Sequence, residues 1–281
     1  MTQRPLASVS ELPTHRMNEL FSARRTQGVD LDPFLNNDLF HMSGPVFAPH
    51  PHAGFSAVTY LLDDSTSPMH NLDSLGDDGL IQPGGVHWTV AGSGIVHNEY
   101  VEHPGRMAHG AQIFVGLPVD SEEVAPSSTR FTPQELPVIA IAEGSRIRVV
   151  AGQLMGQTSP VDEPAGVQLY DVTLRPNERL ELPFDPAFRG FFMTVDGAAQ
   201  VSLDEQHLDL GPTGLVVFEP GDGSIAVTAS AIGVRLLVGA GQPIRTPGQW
   251  NGGFHFTSRS RLAAAVERYQ RGELHGALAT A

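Results

Sequence analysis

The 281-residue sequence predicts an all-β protein, two β-barrels in tandem followed by a C-terminal α-helix. Three observations carry that expectation. Short apolar stretches recur at regular spacing, separated by turn signals such as Pro83-Gly84-Gly85 and Gly92-Ser93-Gly94. The second half weakly repeats the first. The clearest helical period lies near the C-terminus.

Taken in order, residues 1 to about 45 carry few strong signals. Leu31-Asp32-Pro33-Phe34-Leu35 reads as a fixed turn, Val46-Phe47 as a lead-in strand, and Arg24-Arg25 as a solvated face. Strands are expected at 57–62, 79–81, 86–90, 94–100 and 111–117. Between the first two runs a long acidic loop, 63–78, reads as a solvated excursion rather than a lid. The stretch from Pro118 to Pro137, rich in Pro, Ser, Thr and acid residues, reads as the linker between halves.

Strands resume at 138–142, 146–151, 167–174, 191–195, 199–203, 215–218, 225–229 and 234–239. In the last segment Ser258 can cap a helix, Leu262, Val266 and Tyr269 fall at i, i+4 and i+7, and Gly272 can stop it. This gives an N-terminal domain over 1–130, a C-terminal domain over 131–245, and a tail with a helix over 246–281 that packs back on the barrels.

Composition narrows the function. With 41% hydrophobic and 17% charged residues the chain is that of a soluble globular protein. A formal net charge of −14 opposes direct contact with nucleic acid, where affinity comes from Lys and Arg displacing counterions. The absence of cysteine excludes disulfides, thiolate nucleophiles and iron–sulfur clusters. No apolar run is long enough to span a bilayer, and a cytoplasmic address is expected.

The residues with the strongest chemical signal are His50-Pro51-His52-Ala53-Gly54-Phe55 and, further on, His97-Asn98-Glu99. Within each pair the polar side chains are two residues apart, a spacing that points both to one face of a strand. Two neighbouring strands so built aim His50, His52, His97 and Glu99 at one point. Three imidazoles and a carboxylate suit a first-row divalent metal (iron, manganese, nickel, copper or zinc) better than magnesium or calcium. Four protein ligands leave positions open for water, substrate or dioxygen, as in a catalytic site.

The internal repeat sets Gly79-Leu80-Ile81-Gln82-Pro83-Gly84 beside 214–221, and His52-Ala53-Gly54-Phe55 beside Phe188-Arg189-Gly190-Phe191. In that alignment His50 falls opposite Pro186, His52 opposite Phe188 and His97 opposite Val234. The second barrel thus lacks the ligands, and its His207 is expected to be exposed on a turn.

Several of these residues together resemble the pirin family of the cupin superfamily. The matching stretches are Asp32-Pro33-Phe34-Leu35, His50-Pro51-His52 with Gly54-Phe55, Val58-Thr59-Tyr60, Pro83-Gly84, Trp88, Gly94-Ile95-Val96-His97 with Glu99, His109-Gly110, Leu117-Pro118 and Tyr269-Gln270-Arg271-Gly272. The resemblance implies a bicupin, two jelly-roll-like barrels, with one metal in the N-terminal barrel on His50, His52, His97 and Glu99. Fe(II) is favoured among the candidate ions. It also implies quercetinase-type dioxygenase activity on a flavonol-like or other enolic small molecule with O2, with Glu99 as a candidate base. Phe55, His70 and His109 are candidate pocket residues.

The alternative implied is a metal-dependent regulator that acts through a protein partner without turnover; an enzyme needs an apolar pocket opening on the metal, whereas a regulator does not. Pirins commonly carry arginine and glutamate where this chain has Ala53 and Ser56, and the second change is expected to remove a carboxylate near the metal.

Overall fold

The computed structural model describes all residues except 1–3, 10, 27, 204, 277 and 279–281. The chain begins β1 (Leu6–Val9), β2 (Thr14–Asn18), β3 (Phe21–Arg25), β4 (Phe34–Met42), β5 (His50–His52), β6 (Phe55–Leu61), β7 (Met69–Asp73) and β8 (Asp78–Ile81). It continues β9 (Val86–Val90), β10 (Ile95–Val101), β11 (Ala108–Gly116), β12 (Ser127–Phe131), β13 (Val138–Ala142), β14 (Ser145–Ala151), β15 (Gln153–Leu154) and β16 (Gln157–Thr158). The remainder is β17 (Gln168–Leu174), β18 (Arg179–Leu182), β19 (Arg189–Leu203), β20 (Gln206–Leu210), β21 (Leu215–Phe218), β22 (Ile225–Gly241), β23 (Gln249–Asn251), β24 (Phe254–Phe256) and helix α1 (Arg259–Gln270). No helix is long and apolar enough to cross a membrane among the described residues.

Two compact units result. Residues 14–27, 34–135 and 244–281 form the first, and residues 1–13, 28–33 and 136–243 form the second. The first unit has a seven-stranded antiparallel sheet, β12-β9-β6-β11-β4-β3-β2, and a four-stranded one, β5-β10-β7-β8. Because a strand turns alternate side chains to opposite faces, the register fixes what faces the interior. It aligns Arg25, Asp38, Gln112, Thr59, His87 and Arg130 in one row across β3, β4, β11, β6, β9 and β12. A row of polar side chains therefore crosses a sheet whose flanking interior positions are apolar, among them Phe21, Phe40, Met42 and Leu61.

Three stretches differ from the sequence expectation for one reason. The loop expected at 63–78 contains β7, in which Met69, Asn71 and Asp73 are buried and His70 and Leu72 only partly so. The linker expected at 118–137 contains β12, paired with β9. The first 45 residues, read as nearly signal-free, contain β1 to β4. In β7, β12 and β4 the inward positions include polar residues, so a period-2 pattern exists but hydrophobicity does not display it. His207 is exposed as expected, but it lies on β20 rather than on a turn.

In the second unit nine strands form one sheet, β1-β21-β19-β22-β17-β14-β13, with β18 on β22 and β20 on β19. The 15-residue β19 and the 17-residue β22 pair along most of their length with register shifts at Thr194/Asp196 and Gly197/Ala199. Such bulges bend long strands sharply enough to curl one sheet into two layers. The core is apolar, with Phe184, Phe192 and Phe218 in mutual ring contact.

The tail of the chain belongs to the first unit. Hairpin β23–β24 and α1 cover the segment after β5: Ala53 donates to Gly253 O at 3.2 Å, His255 donates to Ala53 O at 3.0 Å, and Ala53 is buried with Phe254, Phe256 and Ala265. Partly buried Leu262, Val266 and Tyr269 complete that cluster, and Ser258 Oγ caps the helix by accepting from Arg261 N. Ala53, where the family commonly has arginine, thus fits under the hairpin. Gly54 has φ +85°, and a Cβ there would lie 1.8 Å from His255 O. Gly54→Ala should therefore lower the unfolding free energy by at least about 2 kcal/mol in urea titrations. Unchanged stability would mean that the hairpin does not clamp this segment.

Candidate metal centre and pocket

β5 and β10 are neighbours in the four-stranded sheet, with Ile95 opposite His52 and His97 opposite His50. The two-residue spacing then sends all three imidazoles to the interior face, where one ring nitrogen from each lies within 4.8 Å of the others. His50 and His97 approach most closely, Nε2 to Nε2 at 3.1 Å.

The protonation states suit a cation. Burial, and then the neighbouring His50, push His52 down to about 3; burial also holds His97 well below the ordinary histidine range, helped by His52, His50 and His87. His50 Nδ1 lies 3.0 Å from Ala48 O, so this nitrogen donates to the carbonyl and in the neutral ring Nε2 presents its lone pair toward His97. The Nδ1 atoms of His52 and His97 are buried and have no hydrogen-bond partner. Three imidazoles crowded together, two of them buried and held below the ordinary histidine range, make a donor set that a divalent transition metal fits.

Glu99 is buried on the same strand but stands outside the tight histidine group. Thr59 Oγ1 donates toward its two oxygens at 2.9 and 2.8 Å, and His87 Nδ1 is 3.7 Å from Oε1. Burial raises its pKa, against the opposing pull of His87 and Thr59. Behind it His87 Nε2 is 3.5 Å from Asp77 Oδ2, and Asp77 accepts from Arg130 Nη1 and Nη2 at 2.9 and 3.0 Å. Asp73, Asp77 and His87 also satisfy the spacing of a ligand group, but Arg130 already neutralises Asp77 and Ser128 donates to Asp73 at 2.8 Å.

A cavity of about 280 Å³ opens on this centre. Its walls include His50, His52 and Glu99, the apolar side chains Phe21, Phe40, Met42, Phe47, Met69 and Phe114, and the polar group Arg25, Asn36, Asp38 and Gln112. Positions 36, 38, 40 and 42 are alternate residues of β4, which explains why one strand supplies so much of the wall. Arg25, read from the sequence as a solvated residue, lines the pocket and pairs with Asp38 at 3.1 Å. Asp38 carries no hydrophobic-pattern signal, because the inward positions of β4 mix Asn36 and Asp38 with Phe40 and Met42.

The other candidates lie elsewhere. Phe55 packs edge-on against His52 and against Phe114 rather than forming wall. His109 stacks on His41 and faces Asp64 at 2.9 Å, outside the pocket lining. Ser56, buried, lies on the face of β6 opposite to Phe55 and Thr59, so a longer acid there would point away from the histidines rather than supply the carboxylate expected near the metal.

His70 also lies outside the pocket lining, its ring held between Asp78 Oδ1 at 2.6 Å and Glu102 Oε2 at 3.0 Å. Burial alone would depress this ring, but the bonds to Asp78 and then Glu102 outweigh it and raise its pKa. The protonated clamp therefore stabilises the fold fully below the ordinary histidine pKa, and that contribution is lost as pH rises through the raised folded value. His70→Gln should cost more stability at pH 5.5 than at pH 8.5 in thermal melts. An equal cost at both would show that the clamp is not charged.

Residues 8–115 match the Pirin family model, and residues 169–275 match the model of the Pirin C-terminal cupin domain. A pirin-like protein of Solanum lycopersicum is 31% identical over 277 residues, covering 96% of this chain and 93% of its own. Among solved structures, a quercetin 2,3-dioxygenase from Acinetobacter baumannii superposes with a TM-score of 0.83 at 22% identity, over 98% of this chain and 99% of that one. A bacterial pirin from Escherichia coli in complex with nickel(II) superposes with a TM-score of 0.68 at 16% identity, over 85% and 100%. On the family models and the identity to its relative, the chain belongs to the pirin family, with two cupin domains.

Proposed function

We propose that the first unit binds one divalent transition metal through His50, His52 and His97, with Glu99 as the fourth ligand. We further propose that the protein is a dioxygenase of the quercetinase type, acting with O2 on a flavonol-like or other enolic small molecule. The observation that carries this reading is the cavity that opens on the histidines, with flat aromatic walls. A regulator without turnover has no need of one. The quercetin dioxygenase and the nickel-bound pirin that share this fold support the substrate class and the metal, respectively.

When bound, the metal would supply Lewis-acid polarisation of the enolic hydroxyl and redox contact with dioxygen. The chain's own residues do the rest. Phe21, Phe40, Phe47 and Phe114 hold a planar ring and exclude water. Glu99 serves as the base only when it leaves the metal: a proton taken on one carboxylate oxygen then leaves the other able to accept from Thr59. His50, fixed by Ala48 O, keeps its Nε2 toward the interior without a proton.

His97→Ala and His50→Ala should each lose stoichiometric metal in elemental analysis, whereas His207→Ala, on the exposed face of β20, should retain it. Full retention in either first variant would refute the ligand set. Protein loaded in turn with iron, manganese, nickel and copper should consume oxygen and release carbon monoxide with quercetin for at least one ion, and His97→Ala should not. Stoichiometric metal without oxygen uptake for any ion would contradict the enzymatic reading.

A further inference from the structure

Asp38 is the one carboxylate of the pocket wall that belongs to the sheet facing the histidine strands. The residue is 8% exposed, its Oδ1 is buried with no hydrogen-bond partner, and the Arg25 guanidinium is 3.1 Å from Oδ2. In the cross-strand row its neighbour on β11 is Gln112, whose Nε2 donates to Val58 O. Asn36, also in the lining, hydrogen-bonds the Asp38 carboxyl, and Asp38 Oδ1 is the buried acceptor left without a partner beside Phe21, Phe40, Met42 and Phe114.

Such an atom is costly unless something donates to it. The charges around it select the donor. A cationic donor would be repelled by Arg25, and an anion would be repelled by Asp38 itself. What remains is a neutral hydroxyl carried on a flat, apolar frame. We propose that Asp38 is the specificity residue of the pocket, accepting a hydrogen bond from a hydroxyl on the end of the aromatic substrate remote from the histidines.

This rests on the cavity being the substrate site of the proposed function. Within it, Arg25 acts as a positioning residue that orients Asp38. Burial pushes the Asp38 carboxyl up, and Arg25, Asn36 and His15 oppose that push.

The test is calorimetric titration of metal-loaded protein with 3-hydroxyflavone and with 3,4'-dihydroxyflavone, which differ by one remote hydroxyl. Wild-type protein should prefer the dihydroxy compound by roughly 10-fold or more, the scale of a hydrogen bond to a charged group. Asp38→Ala should abolish the preference, read as the ratio of the two affinities in the same variant. The double variant Arg25→Gln/Asp38→Ala should behave likewise, which separates lost recognition from damage by an unpaired arginine. No preference in wild type, or a preference that survives both variants, would overturn the proposal.

If neither flavonol binds wild-type protein, the flavonol reading falls and Asp38 is judged by smaller probes. Metal-free protein should then prefer 4-ethylphenol to 4-ethylanisole in ligand-observed NMR, and Asp38→Ala should lose that preference. Equal binding of the two in wild type would overturn the assignment of Asp38 independently of the reaction.

Discussion

The structure of the first unit depends on keeping three imidazoles and a row of polar side chains on the interior faces of its sheets. Each buried polar group needs a partner or it destabilises the fold. The register supplies most of these partners. Arg25 pairs with Asp38, Gln112 Nε2 donates to Val58 O, Thr59 donates to Glu99, and Arg130 pairs with the Asp77 carboxylate beyond His87. The row thus has an arginine at each end, and the two guanidinium groups offset the carboxylates between them. Buried side-chain atoms left without a hydrogen-bond partner include Nδ1 of His52 and His97 and Asp38 Oδ1, and also Arg25 Nε and His87 Nε2 within the row and both side-chain amide atoms of Asn37 on β4.

The brace around the histidine strand has a different origin. The segment His50-Pro51-His52-Ala53-Gly54 is short and carries two of the three imidazoles, so its backbone has to be held by something outside its own sheet. The tail of the chain does this: β24 meets it at a parallel bridge between Ala53 and Phe254, and Gly54 and Gly253 permit backbone approaches that no Cβ would allow. Trp250 on the same hairpin lies against Phe55 and Phe114, linking the brace to the pocket wall. The second unit, built on a related all-β plan, fills its interior with aliphatic side chains and the phenylalanines Phe184, Phe192 and Phe218 instead. Among the described residues, both groups with ligand spacing lie in the first unit.

Much of this was legible in the sequence. The two-residue spacing of His50 and His52 and of His97 and Glu99 is itself a geometric statement, since strand parity turns it into a shared face. The helix was equally plain, because Ser258, Leu262, Val266 and Tyr269 state both its cap and its buried stripe. The pocket wall was harder to see. β4 places Asn36 and Asp38 inward alongside Phe40 and Met42, so polar residues occupy positions where a hydrophobic pattern would be sought. β7 conceals itself in the same way through Asn71 and Asp73. A strand that builds a polar site loses the signature by which strands are recognised, so the residues hardest to find were those nearest the chemistry. Ser56 shows the converse: its neighbours in sequence belong to the site, but one step along a strand reverses the face.

The central claim is that a single metal sits among His50, His52 and His97 with the cavity open to it. Anomalous diffraction at the absorption edge of the bound metal tests that most directly. The account predicts one peak in the first unit, within coordination distance of the three imidazoles and bordered by the cavity. A peak at Asp73, Asp77 and His87 instead, or metal-replete crystals with no peak at the histidines, would contradict it.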